Sequence, residues 1–104
     1  MDYQLVIQFP IREATAEDFD RLIMIENELG IILGKQHNVD CHDLGSGEMN
    51  IFIHTNDPNK AFGLAKNVLS DKELNTISAA YRKTEDEKYS VIWPENFNGE
   101  FRIR

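Results

Sequence analysis

From Tyr3 to Phe9 the chain reads Tyr-Gln-Leu-Val-Ile-Gln-Phe, an alternation of nearly period two that marks a strand with one buried face. Pro10 follows, and a residue without a backbone N–H closes such a run. The period then lengthens. Phe19, Leu22, Ile23, Ile25, Leu29, Ile32 and Leu33 recur at helical spacing, Thr15 stands as an N-cap with Asp18 three residues on, and acids crowd the first turn. These features predict a long amphipathic helix that stops near Gly34.

Two short strands are predicted at Asn38 to Asp43 and Asn50 to Thr55, joined by Leu44-Gly45-Ser46-Gly47-Glu48, whose glycines permit a tight reversal. Asp57-Pro58 supplies an N-cap followed by proline at the first helical position. Ala61, Phe62, Ala65, Val68 and Leu69 then keep helical spacing, predicting a second helix to about Ser70. Thr76 to Arg82 and Tyr89 to Trp93 form another strand pair across the charged turn from Lys83 to Lys88, and Pro94 ends it. Glu95 to Gly99 reads as loop, and the alternation of Phe101 and Ile103 with Arg102 and Arg104 allows a short edge strand.

The predicted order is βαββαβ with one or two extra C-terminal strands. This is an α+β chain of ferredoxin-like, split βαβ layout, one domain over residues 1–104, with two helices on one face of an antiparallel sheet. If Leu5, Ile7, Phe9, Ile51 and Ile53 meet the helices, then Gln4, Val6, Gln8, Asn50, Phe52 and His54 face the other way. Val6 and Phe52 are apolar, so that second face is expected to hold a ligand, a partner or another copy of the chain.

Composition narrows the function classes. The chain has 104 residues, enough to bury a core without disulfides, and its 41% hydrophobic and 28% charged residues are ordinary for a globular fold. Eighteen acidic against eleven basic residues give a formal charge of −7, which opposes nucleic-acid binding and favours a basic partner. One cysteine excludes an intrachain disulfide and suits a reducing compartment. The N-terminal run lacks the features of a signal peptide, and no apolar run approaches the ~20 residues of a membrane span. A cytoplasmic protein that does not enter membranes is expected.

Candidate chemistry concentrates in the hairpin from Asp40 to Thr55, which holds acids, two histidines and Cys41. His42, His54 and an acid do not have the spacing that fixes metal ligands on one element, so no metal is expected. Gly45-Ser46-Gly47 is flanked by Asp43 and Glu48, the wrong sign for a phosphate nest. Cys41 and His42 are adjacent on a strand and point apart, which argues against a nucleophile and base; Cys41 is expected to share the helix-facing side with Val39. Glu26 falls inside the apolar stripe of the first helix, where a carboxylate needs either a partner or a route to solvent at the edge. Trp93, Tyr89 and Val91 are expected on one face of the penultimate strand, with Tyr81 near them, packed under the terminal segment or in an interface. The surface predicted to meet a ligand or partner therefore comprises Glu26, His42, Asn50, Phe52, His54 and Trp93. No catalytic set and no cofactor are predicted.

The hairpin Asp40-Cys41-His42-Asp43-Leu44-Gly45-Ser46-Gly47-Glu48-Met49-Asn50-Ile51-Phe52-Ile53, the following Thr55-Asn56-Asp57-Pro58, Ala80-Tyr81-Arg82 and Val91-Ile92-Trp93-Pro94 resemble a pattern in small uncharacterised bacterial proteins. The resemblance covers about half the chain and implies a stand-alone bacterial domain, but it transfers no activity to any residue. Two functional readings follow. The first is a non-enzymatic binding or interaction protein, with a homodimer or a protein partner on the open sheet face; one version is an immunity-type protein that masks a basic domain. The second is a small dimeric enzyme resembling ferredoxin-like monooxygenases and isomerases, with His42, Asn50 and His54 lining a pocket between sheet and helices.

Overall fold

The computed structural model describes residues 2–11, 15–34, 37–45, 47–97, 99, 101 and 103, without the side chains of 41–45. In chain order the elements are β1 (Tyr3–Pro10), α1 (Ala16–Leu33), β2 (His37–Gly45), β3 (Glu48–Thr55), α2 (Pro58–Ala65), α3 (Asp71–Leu74), β4 (Ser78–Lys83) and β5 (Ser90–Trp93). The five strands form one open sheet in the order β2-β3-β1-β4-β5, and every neighbouring pair is antiparallel. β3 thus lies between β1 and β2, the strands that α1 connects.

Local chemistry sets the helix starts. Thr15 accepts from the Asp18 N–H while the Asp18 carboxylate accepts from the Thr15 N–H at 2.8 Å, a reciprocal capping box. Asp57 caps α2 through the Lys60 N–H, with Pro58 in the first turn. α2 ends earlier than the spacing of Val68 and Leu69 suggests. Ser70 and Glu73 form a second capping box that starts the short α3, a third helix where two were expected.

The main core lies between the sheet and the helices. Leu5, Ile7 and Phe9 of β1 and Ile51 and Ile53 of β3 pack with Leu22, Ile25, Leu29 and Leu33 of α1 and Ala61, Phe62 and Ala65 of α2. On the opposite sheet face, Val6 and Ala80 are fully buried in a second cluster with Phe101, flanked by Phe52, Tyr89, Val91, Phe97 and Ile103. The C-terminal segment of the same chain therefore covers the face that the sequence leaves open. Phe101 is only 6% exposed, and its ring lies 5.2 Å from Tyr89 and 6.5 Å from Phe97 between centroids. β5 is one extra strand beyond βαββαβ; the described residues of the tail, Phe101 and Ile103, are not in a strand.

Two irregularities break the period-two pattern. In β2 the pairing steps from Val39 with Ile53 to Cys41 with Phe52, so Asp40 is an extra residue and the alternation expected to join Val39 to Cys41 is interrupted. In β5 the pairing steps from Val91 with Ala80 to Trp93 with Ala79, leaving Ile92 as the extra residue.

Candidate functional site

The hairpin from β2 to β3 is tighter than expected. Gly45 pairs with Glu48, and Gly47 just before Glu48 has a φ of 82°, the left-handed region that glycine enters without strain. Register places Asp43, Asn50, Gln8 and Ser78 in one row across the sheet, and Cys41, Phe52, Val6 and Ala80 in the next.

Asn50 is fully buried in the first row. Its Oδ1 accepts from Gln8 Nε2 at 3.1 Å, whereas its Nδ2 is buried without a hydrogen-bond partner among the described residues. Phe52 is half-buried beside Val6 and Ala80, under the terminal segment. His54 is half-buried, and its Nε2 lies 3.2 Å from Asp40 Oδ2, a pair near the β2 edge of the sheet. The His42 and Cys41 side chains lie outside the described residues. Among the described residues no group of three or more His, Cys, Asp or Glu side chains could hold a metal ion.

Trp93 stands elsewhere. The bulge at Ile92 turns it onto the helix face, where its ring lies 6.0 Å from Phe62 and 4.7 Å from Lys66 Nζ, and its Nε1 donates to the Leu74 carbonyl oxygen at 2.7 Å. The single aromatic face expected for Tyr89, Val91 and Trp93 is therefore divided: Tyr89 and Val91 lie under the tail, and Trp93 fastens α2 and α3 to the sheet edge. Glu26 is half-buried at the edge of the α1 core face. The six residues singled out from the sequence thus do not converge on one site.

A cleft of about 360 Å³ opens between the end of β1, the start of α1 and α3, lined among others by Phe9, Ile11, Asp18, Arg21, Lys72 and Glu73. Arg21, Glu73 and Asp18 among its polar groups are engaged in holding the fold. Arg21 donates through Nε and Nη2 to Glu73 Oε2 and Oε1 at 3.0 and 2.9 Å, and Nη2 also donates to the Val68 carbonyl oxygen at 3.2 Å. The Arg21 guanidinium holds the Glu73 carboxyl below its usual range, and the same bonds raise Arg21. Thr15 holds Asp18 low through hydrogen bonds from its backbone N–H and hydroxyl. Neither Asn50 nor His54 lines this cleft.

Comparison with family models, with curated proteins and with solved structures finds no match. The geometry of this chain is what its site must be read from.

That geometry includes features without a sequence signal. His37 is 4% exposed, with Nδ1 2.6 Å from Thr55 Oγ1, which also accepts from the Asp57 N–H at 2.9 Å. The pair follows from His37 facing Thr55 across the strands, a register that only the folded sheet fixes. More consequential is the outer side of α1. Phe19 and Ile23, expected in the core stripe, are 36% and 51% exposed, and Met24 and Ile31 are 49% and 81% exposed. The buried stripe is narrower, formed by Leu22, Ile25, Leu29 and Leu33. Among the described residues no helix is long and apolar enough to cross a membrane.

Proposed function

We propose that this chain is a cytoplasmic, non-enzymatic protein-interaction domain of ferredoxin-like layout. The observation that carries the reading is the group of large apolar side chains left in solvent on α1. Exposed Leu or Ile residues scattered singly are ordinary, but Phe19, Ile23, Met24 and Ile31 share one side of one helix. The element order and the strand order β2-β3-β1-β4-β5 support the ferredoxin-like part of the proposal. An immunity-type protein that masks a basic domain is one form of it, supported by the charge of −7.

The enzyme reading needs a pocket lined by two of His42, Asn50 and His54; the cleft beside Arg21 has neither Asn50 nor His54, and the His42 side chain lies outside the described residues. Self-association through the sheet face would require the tail to leave Val6 and Ala80. The test is native mass spectrometry of the protein purified from its own host. A stoichiometric protein partner lost on replacing Ile23 and Ile31 with asparagine is the expected result; a monomer with no partner, or with a retained small molecule, would remove the reading.

A further inference from the structure

Along α1 the residues four apart form parallel rows. One row is Phe19, Ile23, Asn27 and Ile31, exposed throughout; the next is Asp20, Met24 and Glu28, also exposed. An apolar ridge is thus bordered by a row with a carboxylate at either end. The row on the other side runs Leu22, Glu26 and Gly30 into the core face.

Gly30 is not required by crowding among the described residues. A Cβ there would meet nothing within 4 Å, and its φ is not in the left-handed region. Glycine inside a helix is unfavourable relative to alanine, so the position gives up helix stability without relieving any internal clash. What it supplies is a low point beside the ridge, where another backbone can approach closely. Gly63 of α2 is equally open, but α2 carries no exposed large apolar side chain, whereas Gly30 has Asn27 of the ridge one turn before it and is followed by Ile31, which is 81% exposed.

We propose that this outer face of α1 receives a basic amphipathic helix of a partner protein. The inference rests on the interaction-domain reading and names the chemistry of the partner at that surface. Apolar side chains of the incoming helix would lie along Phe19, Ile23 and Ile31, a small gap at Gly30 would admit its closest turn, and its Lys or Arg residues would meet Asp20 and Glu28. A second copy of this chain is a poor occupant. Two-fold antiparallel packing of the ridge sets the Asp20 and Glu28 of one copy against the Glu28 and Asp20 of the other, and the net charge of each is −7.

Two synthetic helical peptides of equal length and identical apolar faces, one with lysine and one with glutamate on the polar face, are titrated into the full chain by calorimetry. The lysine peptide is expected to bind saturably and the glutamate peptide not to bind. The double variant Ile23→Asn, Ile31→Asn should weaken the lysine peptide by at least about tenfold, because apolar burial is lost while the acids remain. Gly30→Leu should raise the melting temperature of the free protein yet weaken binding about tenfold, so that failure to fold cannot explain the loss. Binding that both variants leave unchanged is adventitious attraction to an acidic surface and overturns the proposal. Equal binding of both peptides, lost in the variants, overturns the basic partner but keeps the interaction surface. Failure of both peptides with concentration-dependent dimers that Ile23→Asn, Ile31→Asn abolishes makes a second copy the occupant. Failure of both peptides with a persistent monomer overturns the proposal and weakens the interaction-domain reading with it.

Discussion

The indole Nε1 of Trp93 donates to the carbonyl oxygen of Leu74 at 2.7 Å, tying the end of β5 to the last turn of α3 across nineteen residues of sequence. Trp93→Phe keeps a ring beside Phe62 but leaves that carbonyl without this donor, which should cost about 1–2 kcal/mol. Urea unfolding followed by circular dichroism measures it, since the substitution removes the sole tryptophan. A midpoint equal to wild type would mean that the bond contributes nothing.

The Arg21–Glu73 pair makes stability depend on acid. Glu73 is held below its usual value of 4.5, first by the Arg21 hydrogen bonds and then by the Ser70 N–H and hydroxyl. A depressed carboxyl binds its proton more weakly folded than unfolded, so its contribution is present above about pH 4.5 and is lost as pH falls through the lower folded value. Arg21 is more than a third exposed, which limits the contribution of the pair at neutral pH to about 0.5–1 kcal/mol. Glu73→Gln should lose that amount near neutral pH and flatten the acid limb below about pH 4.5. Parallel acid limbs for the two proteins would show that other carboxylates dominate.

The terminal segment acts as part of the fold in this structure. Phe101→Ala removes a ring that covers Val6, Ala80 and Tyr89, with an expected cost of about 3 kcal/mol. Phe52→Glu should likewise destabilise the chain, because it places a carboxylate under the same cover. Sedimentation over a wide concentration range discriminates: if either substitution instead converts a dimer into equally stable monomers, the sheet face is covered by a second chain in solution.

What the sequence makes legible is what local chemistry decides. Thr15 with Asp18 and Asp57 with Pro58 announce their helices because the groups they satisfy lie within one turn. Ser70 with Glu73 carries the same signal for α3, but the helical spacing of Val68 and Leu69 masks it, so the predicted second helix runs on to about Ser70 and α3 itself is not predicted. Bulges are a different matter. The extra Ile92 that moves Trp93 to the helix face, and the extra Asp40 in β2, follow from pairing with the neighbouring strand, which one strand's own pattern does not encode. The exposure of Phe19 and Ile23 has a similar origin. Apolar residues occupy more than one side of α1, and only packing against Leu5, Ile7 and Ile53 selects the side that is buried. Arg21 and Glu73, separated by 52 positions, meet through the tertiary fold alone.

Asn50 provides the sharpest separation of a structural amide from a functional one. It is fully buried, its Oδ1 satisfied by Gln8 and its Nδ2 without a partner among the described residues, and Gln8 makes a further interaction of its own. An unpaired buried amine carries a desolvation cost of about 1–3 kcal/mol, while the bond to Gln8 returns about 1 kcal/mol. Asn50→Leu, similar in shape, deletes both and adds apolar burial, so the variant should be as stable as wild type or more stable by about 1 kcal/mol. Gln8→Leu should do the opposite: it removes the donor that Asn50 Oδ1 relies on and costs about 1–3 kcal/mol, most of which a following Asn50→Leu restores. Urea titrations of the two single variants and the double variant close the cycle. If Asn50→Leu alone loses more than about 2 kcal/mol, the amide has an acceptor in solution beyond the described residues, and Asn50 returns as a binding residue.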